Sequence, residues 1–362
     1  MKAEKGVVLA VLVLVTHFLL AGCGAGAQGG IAFTHVNLVP MTAEIIIEDQ
    51  TVVIEGGLIV AIGDAADVRI PAGARVIEGQ GAYLMPGLAD MHMHTRLDWQ
   101  DRDVWPVDPL HLYLANGVTT IRDLGPTGSP LEYALHWRNE IRAGTRHGVG
   151  LDGALAAGMD EVAHVEELLP ELIDFDRSAD LAPAEWLPYL AGAAAEQWHL
   201  AAGRLPAGFG AENLETRDHV AGRLRSGGVP VCTTMVIDDI IQWKLFRPAE
   251  FLARPENVYQ EQGYLDSLRR GEEKHQLQFA GQEGLAAAKY DVDRWLLDGL
   301  HRAGVVLLLG TDSGTGGMGL VPGYSIHDEL RILVDNGFTP YEAITTGTVN
   351  AALVVERMTG EG

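Results

Sequence analysis

The chain has 362 residues, 47% hydrophobic and 21% charged, with 44 glycines and 16 prolines. That composition excludes a disordered or fibrous chain and leaves room for one large α/β barrel or two ordinary domains. Only 26 Lys and Arg stand against 49 Asp and Glu, a formal charge of −23, which excludes nucleic-acid binding through a basic face.

Lys2 and Lys5 precede an apolar run from Val7 to Leu20, interrupted at Thr16 and His17. The run is short for a transmembrane helix and has the length of a signal-peptide core. Leu20-Ala21-Gly22-Cys23 closes it and resembles the lipobox of bacterial lipoprotein precursors. By that resemblance residues 1–23 are a lipoprotein signal peptide, Cys23 carries lipid, and the protein is exported and anchored to the membrane of the bacterial cell envelope. Cleavage within Ala25-Gly26-Ala27 is the alternative. With Cys23 lipidated, Cys232 is the one thiol left, so no intrachain disulfide can form.

After a linker at 24–30, residues 31–83 read as a small β domain. Its strands are expected at Ile45–Ile47, Thr51–Glu55, Leu58–Ile62 and Ala74–Glu78, with Gly56-Gly57 as a turn. From residue 84 to 362 apolar strands alternate with amphipathic stretches, the pattern of βα units on a parallel sheet. Gly117 to Gly125 is a β-branched strand and turn, Leu131 to Arg142 a helix, and Met159 to His164 a strand. Residues 165–300 read as mostly helical, with a strand at Pro230 to Ile237. Val305 to Leu309 has the continuous apolar character of a strand buried on both faces. Helices are expected at Tyr324 to Asn336 and Pro340 to Met358, the second after the start signal Thr339-Pro340.

The chemistry concentrates at Met91-His92-Met93-His94. A strand has period two, so His92 and His94 face the same side and can share a divalent metal, Zn²⁺ first among candidates. Asp312, in Gly310-Thr311-Asp312-Ser313-Gly314, follows a buried apolar strand, where a carboxylate can ligate a metal, accept a proton from water, or both. His164 closes the segment Asp160 to His164 and can reach the same rim. Trp99, Trp105, Tyr264 and Trp295 are candidates for a pocket lining or for core. Gly314 to Gly319 fits G-x-G-x-x-G, but the glycine-rich run continues to Gly323 before the next helix, unlike a dinucleotide site. No G-x-S-x-G elbow and no C-x-x-C pair is present.

Together these segments resemble the amidohydrolase superfamily, in particular its imidazolonepropionase-like and prolidase-like branch. The matches are Pro86 to His94 for the metal-binding first strand, Asn116 to Gly125 for the second, Gly158 to His164 for the sixth and Gly310 to Gly314 for the eighth. Pro322 to Leu330 and Gly337 to Ala343 match the stretch that follows the catalytic aspartate. The resemblance implies a (β/α)8 barrel beside a small β-sandwich-like layer. It further implies His92 and His94 as metal ligands, His164 as a ligand or the support of one, and Asp312 as the ligand that accepts a proton from water. The substrate so implied is a small molecule with a hydrolysable carbon–nitrogen bond.

Two departures qualify that expectation. Three βα units need on the order of 90 residues, whereas Gly125 to Met159 leaves space for little more than one. No lysine lies between Lys5 and Lys244, so the bridging carbamate of binuclear members has no candidate, which leaves a mononuclear site or a broken one. His147 falls where the family's fifth-strand histidine would precede the sixth-strand motif, as a ligand or as a loop histidine. The chain also stops at Thr359-Gly360-Glu361-Gly362, where the family returns to its β layer, so an incomplete barrel and an incomplete small domain are expected. The competing reading is a membrane-anchored binding protein that keeps the fold without turnover.

Overall fold

A computed structural model describes residues 30–96, 105, 107–124, 151, 155, 159, 161–176, 179, 186–198, 200, 205–315 and 317–360. Cys23, Trp99, the expected helix at 131–142 and His147 lie outside these residues. The chain divides into two compact units, one ending at Pro86 and the other starting at Gly87. No helix among the described residues is long and apolar enough to cross a membrane.

Among the described residues the first unit is a single sheet. Strands β1 (Ile31–Leu38), β2 (Ile47–Glu55), β3 (Leu58–Asp64) and β4 (Arg75–Glu78) lie in the order β3-β2-β1-β4, and β5 (Tyr83–Leu84) also pairs with β1. β1 runs antiparallel to β2 and parallel to β4 and β5. Alternation along β1 buries Ala32, Val36 and Leu38, the period expected of a strand with one covered face. The β2–β3 hairpin turns on Gly56 and Gly57, both at positive φ, as a two-residue turn matched to strand twist requires. The two strands expected at 45–47 and 51–55 are one strand from Ile47, and Ile45 and Ile46 are exposed ahead of it.

The second unit is mixed α/β. β6 (Leu88–Met93) pairs in parallel with β7 (Val118–Asp123), with helix α1 (Pro109–Ala115) between them in sequence. Every residue of β6 is buried, as for a strand covered on both faces. On its other side the Met91 N–H donates to the Leu309 carbonyl (2.8 Å), and Met93 bridges Ser313 in parallel. β8 (Val231–Cys232) pairs in parallel with β9 (Leu307–Leu308), and Val162 bridges Val231, again in parallel. Among the described residues the parallel layer therefore runs from β7 through β6, the 307–313 segment and β8 to Val162, and it is open. Ala89, Met91, Cys232, Leu308, Ala351 and Val354 form a buried apolar cluster beneath it.

Helices follow in chain order: α2 (Trp186–Gln197), α3 (Phe209–Glu212), α4 (Leu214–Gly227), α5 (Val236–Phe246), α6 (Pro248–Leu252), α7 (Gln262–Arg269), α8 (Lys274–Gln278), α9 (Glu283–Ala303), α10 (Tyr324–Asp335), α11 (Pro340–Thr346) and α12 (Val349–Thr359). Two expectations are corrected. The strand read as Pro230 to Ile237 stops at Cys232, because Thr234 turns to φ +46° and the buried Glu329 carboxylate accepts the N–H groups of Met235 (3.1 Å) and Val236 (2.6 Å), which starts α5. The helix read as Pro340 to Met358 is α11 and α12. It breaks at Gly347, whose carbonyl accepts from the Ala89 N–H of β6 at 2.7 Å instead of from a residue in the next turn.

Candidate metal centre

The site is assembled at the C-terminal ends of the parallel segments, starting from Asp90. This carboxylate is fully buried and accepts from the His92 N–H (3.2 Å), the Thr311 N–H (3.1 Å) and the Thr311 hydroxyl (2.6 Å). Burial pushes it up to about 6 against those hydrogen bonds from Thr311 and His92. The His92 carbonyl in turn accepts from the N–H groups of Thr311 (3.1 Å) and Asp312 (2.7 Å), and the His94 N–H donates to the Ser313 carbonyl (2.8 Å). The two sequence motifs are thus laced together through backbone before any side chain meets.

Gly310 and Gly314 permit this approach. A Cβ on Gly310 would collide with Cys232 Sγ and come within 2.8 Å of His92 Cβ. One on Gly314, at φ +96°, would strike the His94 carbonyl. Behind them Tyr113 Oη lies 2.6 Å from Ser313 Oγ, which lies 2.7 Å from Thr311 Oγ1, a closed chain of buried hydroxyls.

The side chains converge on Asp312. His94 Nε2 lies 3.0 Å and His92 Nε2 3.4 Å from Asp312 Oδ1. The His92 and His164 rings are 4.4 Å apart, and His92, His164 and Asp312 each offer a ligand atom within 4.8 Å of the others. His92 Nδ1 faces the Ala163 carbonyl at 3.1 Å; since that oxygen only accepts, Nδ1 carries the proton and Nε2 presents its lone pair. His164 Nδ1 is taken by Thr234 Oγ1 at 2.8 Å, which directs its Nε2 away from the hydroxyl. Burial, with the neighbouring His92, lowers the His164 pKa and keeps this ring neutral. Burial works to raise Asp312, but its close contacts with the His92 and His94 imidazoles hold it down to about 2, an ionised carboxylate.

Imidazoles and one carboxylate, gathered at this spacing with Nδ1 of His92 and of His164 engaged, are a donor set that fits a divalent transition metal such as Zn²⁺. The fit rests on His92, His164 and Asp312, with His94 bonded to the same oxygen of Asp312.

A second group of carboxylates lies nearby. Glu166, Asp238 and Asp293 surround Lys289 Nζ at 2.5, 2.8 and 2.8 Å. Their acidic neighbours raise the Lys289 pKa well above its ordinary value in spite of burial, so an ammonium holds this cluster. The sequence reading passed over it; Lys289 and Asp293, four apart on α9, were its one local signal. Arg122 and Glu161, also passed over, form a two-pronged ion pair, and Arg122 Nε donates to the Met91 carbonyl at 2.7 Å. Of the aromatic candidates, Trp105 and Tyr264 line a cavity beside Gly314 and Thr315. Trp295 packs on Phe209, ring centroids 5.2 Å apart, under the Arg217 guanidinium.

No family model matches the chain. Over 250 residues, 58% of this chain and 49% of the other, it is 26% identical to the 5-methylthioadenosine/S-adenosylhomocysteine deaminase of Natronomonas pharaonis. The chain spans about half the length of that curated relative. Among solved structures it is similar to a Bifidobacterium longum protein assigned as a prolidase, with TM-score 0.49, 19% identity, and 91% of this chain and 84% of the other covered. It is also similar to a Xaa-Pro dipeptidase, with TM-score 0.47, 16% identity, and 91% and 89% covered. The amidohydrolase resemblance of the sequence motifs is met, in the sequence comparison, by a deaminase of that superfamily.

Proposed function

We propose that the chain is a metal-dependent hydrolase of carbon–nitrogen bonds in small molecules, built on a (β/α)8-type scaffold. One observation carries the reading: at the ends of three separate parallel segments His92 and His94 lie against one oxygen of Asp312, and His164 offers a ligand atom within 4.8 Å of those of His92 and Asp312. Enzymes of parallel α/β architecture place their chemistry at those ends. The sequence similarity to a deaminase supports the same class of reaction.

In this reading His92, His164 and Asp312, with His94, hold a single divalent ion, Zn²⁺ foremost. Such an ion supplies Lewis-acid activation of water. Ala163 and Thr234 fix the two rings that present nitrogen to it. The Asp312 carboxylate, ionised at neutral pH, takes the proton from the attacking water and returns it to the leaving nitrogen. The buried Asp90–Thr311–Ser313–Tyr113 chain holds the Asp312 backbone in place while the proton moves.

Metal content and turnover test this together. The purified chain is expected to carry about one zinc per molecule, most of it lost on His92→Ala, a change that removes one ligand of a three- to four-ligand set. Asp312→Asn is expected to lower kcat on N-acyl amino acids or cyclic amides by at least about 10³-fold, as for loss of a general base and charge. A folded chain that takes up no metal when reconstituted, or an Asp312→Asn variant of undiminished rate, overturns the proposal.

A further inference from the structure

Three residues that line one cavity each carry a buried hydrogen-bonding atom without a partner. They are Trp105 (Nε1), Gln260 (Nε2) and Tyr264 (Oη), and the cavity is bounded also by Arg96, Gly314 and Thr315. The Thr315 hydroxyl donates to the Asp312 carbonyl at 2.8 Å, so one wall of the cavity is tied to the candidate centre. An indole N–H and an amide NH₂ can only donate. The phenol also keeps its proton, since burial pushes it well above its ordinary range. A buried donor left unpaired disfavours the folded chain, and three of them in one place are what a ligand rich in acceptor oxygen would satisfy.

The surroundings set the sign of that ligand. Glu261 is paired with Arg96 at 3.0 Å, and the Arg96 guanidinium lies 5.2 Å from the Trp105 ring centroid. Among the described lining residues an ammonium group would find the one carboxylate already engaged, whereas an anion finds three donors. The placement of Tyr264 is built into the fold: Gly319, at φ +86°, has no Cβ where the hydroxyl lies, and a Cβ there would come within 2.5 Å of Oη. Lys244, under the Tyr264 ring, donates to the Met318 carbonyl at 3.0 Å and pins the adjoining loop.

We propose that Trp105, Gln260 and Tyr264 form a subsite for a carboxylate carried by the substrate, next to the Asp312 loop. This deepens the hydrolase reading and rests on it for the word substrate; the binding itself does not require turnover.

The test is a titration of the metal-free chain with isotope-labelled tryptophan indoles, whose seven N–H resonances include that of Trp105, assigned by its loss in Trp105→Phe. N-acetylglycine is expected to move the Trp105 resonance to saturation, and N-acetylglycinamide to bind at least about 10-fold more weakly, the effect of one charge-assisted hydrogen bond. Tyr264→Phe removes a hydroxyl with no partner, so the variant is expected to melt no lower than the parent and to bind N-acetylglycine about 10-fold more weakly. Equal response to acid and amide, no response of Trp105 to either, or unchanged affinity in Tyr264→Phe overturns the subsite. Acid-selective binding by a folded chain that takes up no metal when reconstituted leaves the subsite standing and removes the hydrolase reading instead.

Discussion

The Nδ1 of His92 donates to the carbonyl oxygen of Ala163, 3.1 Å away across 71 residues of chain. This contact does two things at once. It fixes which nitrogen of His92 faces Asp312, and it docks the segment that ends in His164 against β6, so one hydrogen bond sets the spacing of two candidate ligands.

The corresponding support of His164 is a side chain and can be removed. Thr234→Val keeps the branched shape but leaves His164 Nδ1 without the hydroxyl at 2.8 Å. Zinc affinity is expected to fall about 10- to 100-fold, the usual effect of losing an outer partner of a ligating histidine. Competition with a chromogenic chelator measures it, and unchanged affinity would show that the threonine does not orient the ring.

Gly310→Ala should act on the site without touching a polar atom. The added methyl meets Cys232 Sγ and His92 Cβ, in a region where Cys232 is fully buried. The expected outcome is a loss of about 1–3 kcal/mol in stability from overpacking, together with weakened zinc binding as His92 is displaced. Gly310→Ala/Cys232→Ala should restore part of both in denaturant titrations and metal assays.

Lys244 offers a test remote from the metal ligands. Its ammonium is fully buried and bonds Glu273 (3.1 Å), His275 Nδ1 (2.7 Å) and the Met318 carbonyl (3.0 Å). Lys244→Met leaves Glu273 as an uncompensated buried charge and should cost about 3–5 kcal/mol. Lys244→Met/Glu273→Gln should cost clearly less, because it removes both charges. A double variant as unstable as the single one would contradict this account.

The same pair predicts a pH dependence. Burial opposes the charge on Glu273, but the hydrogen bond from His275 and the charge of Lys244 hold its pKa down to about 2, against 4.5 ordinarily. A carboxyl so depressed contributes stability that is present above about 4.5 and is lost as pH falls toward 2. Asp312, also held at about 2, adds a loss of the same sign. Burial lowers Lys244 to about 8 from 10.5, so its contribution runs the other way along the scale, with stability rising between 8 and 10.5 as the unfolded chain alone stays protonated there. Melting temperatures of the parent and of Lys244→Met/Glu273→Gln should therefore converge below pH 4.5 and diverge above 8; parallel curves would refute the assignment.

The features legible in the sequence were those whose signal is local. His92 and His94 announce a shared face by strand period alone, and Asp312 is placed by the apolar run before it; in the fold the two motifs lie against each other. The supports were invisible because they are remote in sequence or have no side chain: Thr234 lies 70 residues from His164, and the partner of His92 is a backbone carbonyl. Local pattern also misled where tertiary contacts decide. Thr233 to Ile237 reads as strand by β-branching, yet Glu329, more than ninety residues on, caps it into a helix. Pro340 to Met358 reads as one helix, and the Ala89 N–H captures the carbonyl that would continue it.

Asp312 stands at φ +57°, in the left-handed region that short polar residues tolerate better than longer side chains. The backbone therefore selects the amino acid before chemistry does. Glutamate carries the same charge but would pay for the conformation and lengthen the reach, so Asp312→Glu should be harmed twice, in folding and in geometry. Asparagine accepts the same turn, which makes Asp312→Asn a change of charge alone. The handedness of a single residue thus favours aspartate, asparagine and glycine at this position, and of these only aspartate retains a carboxylate.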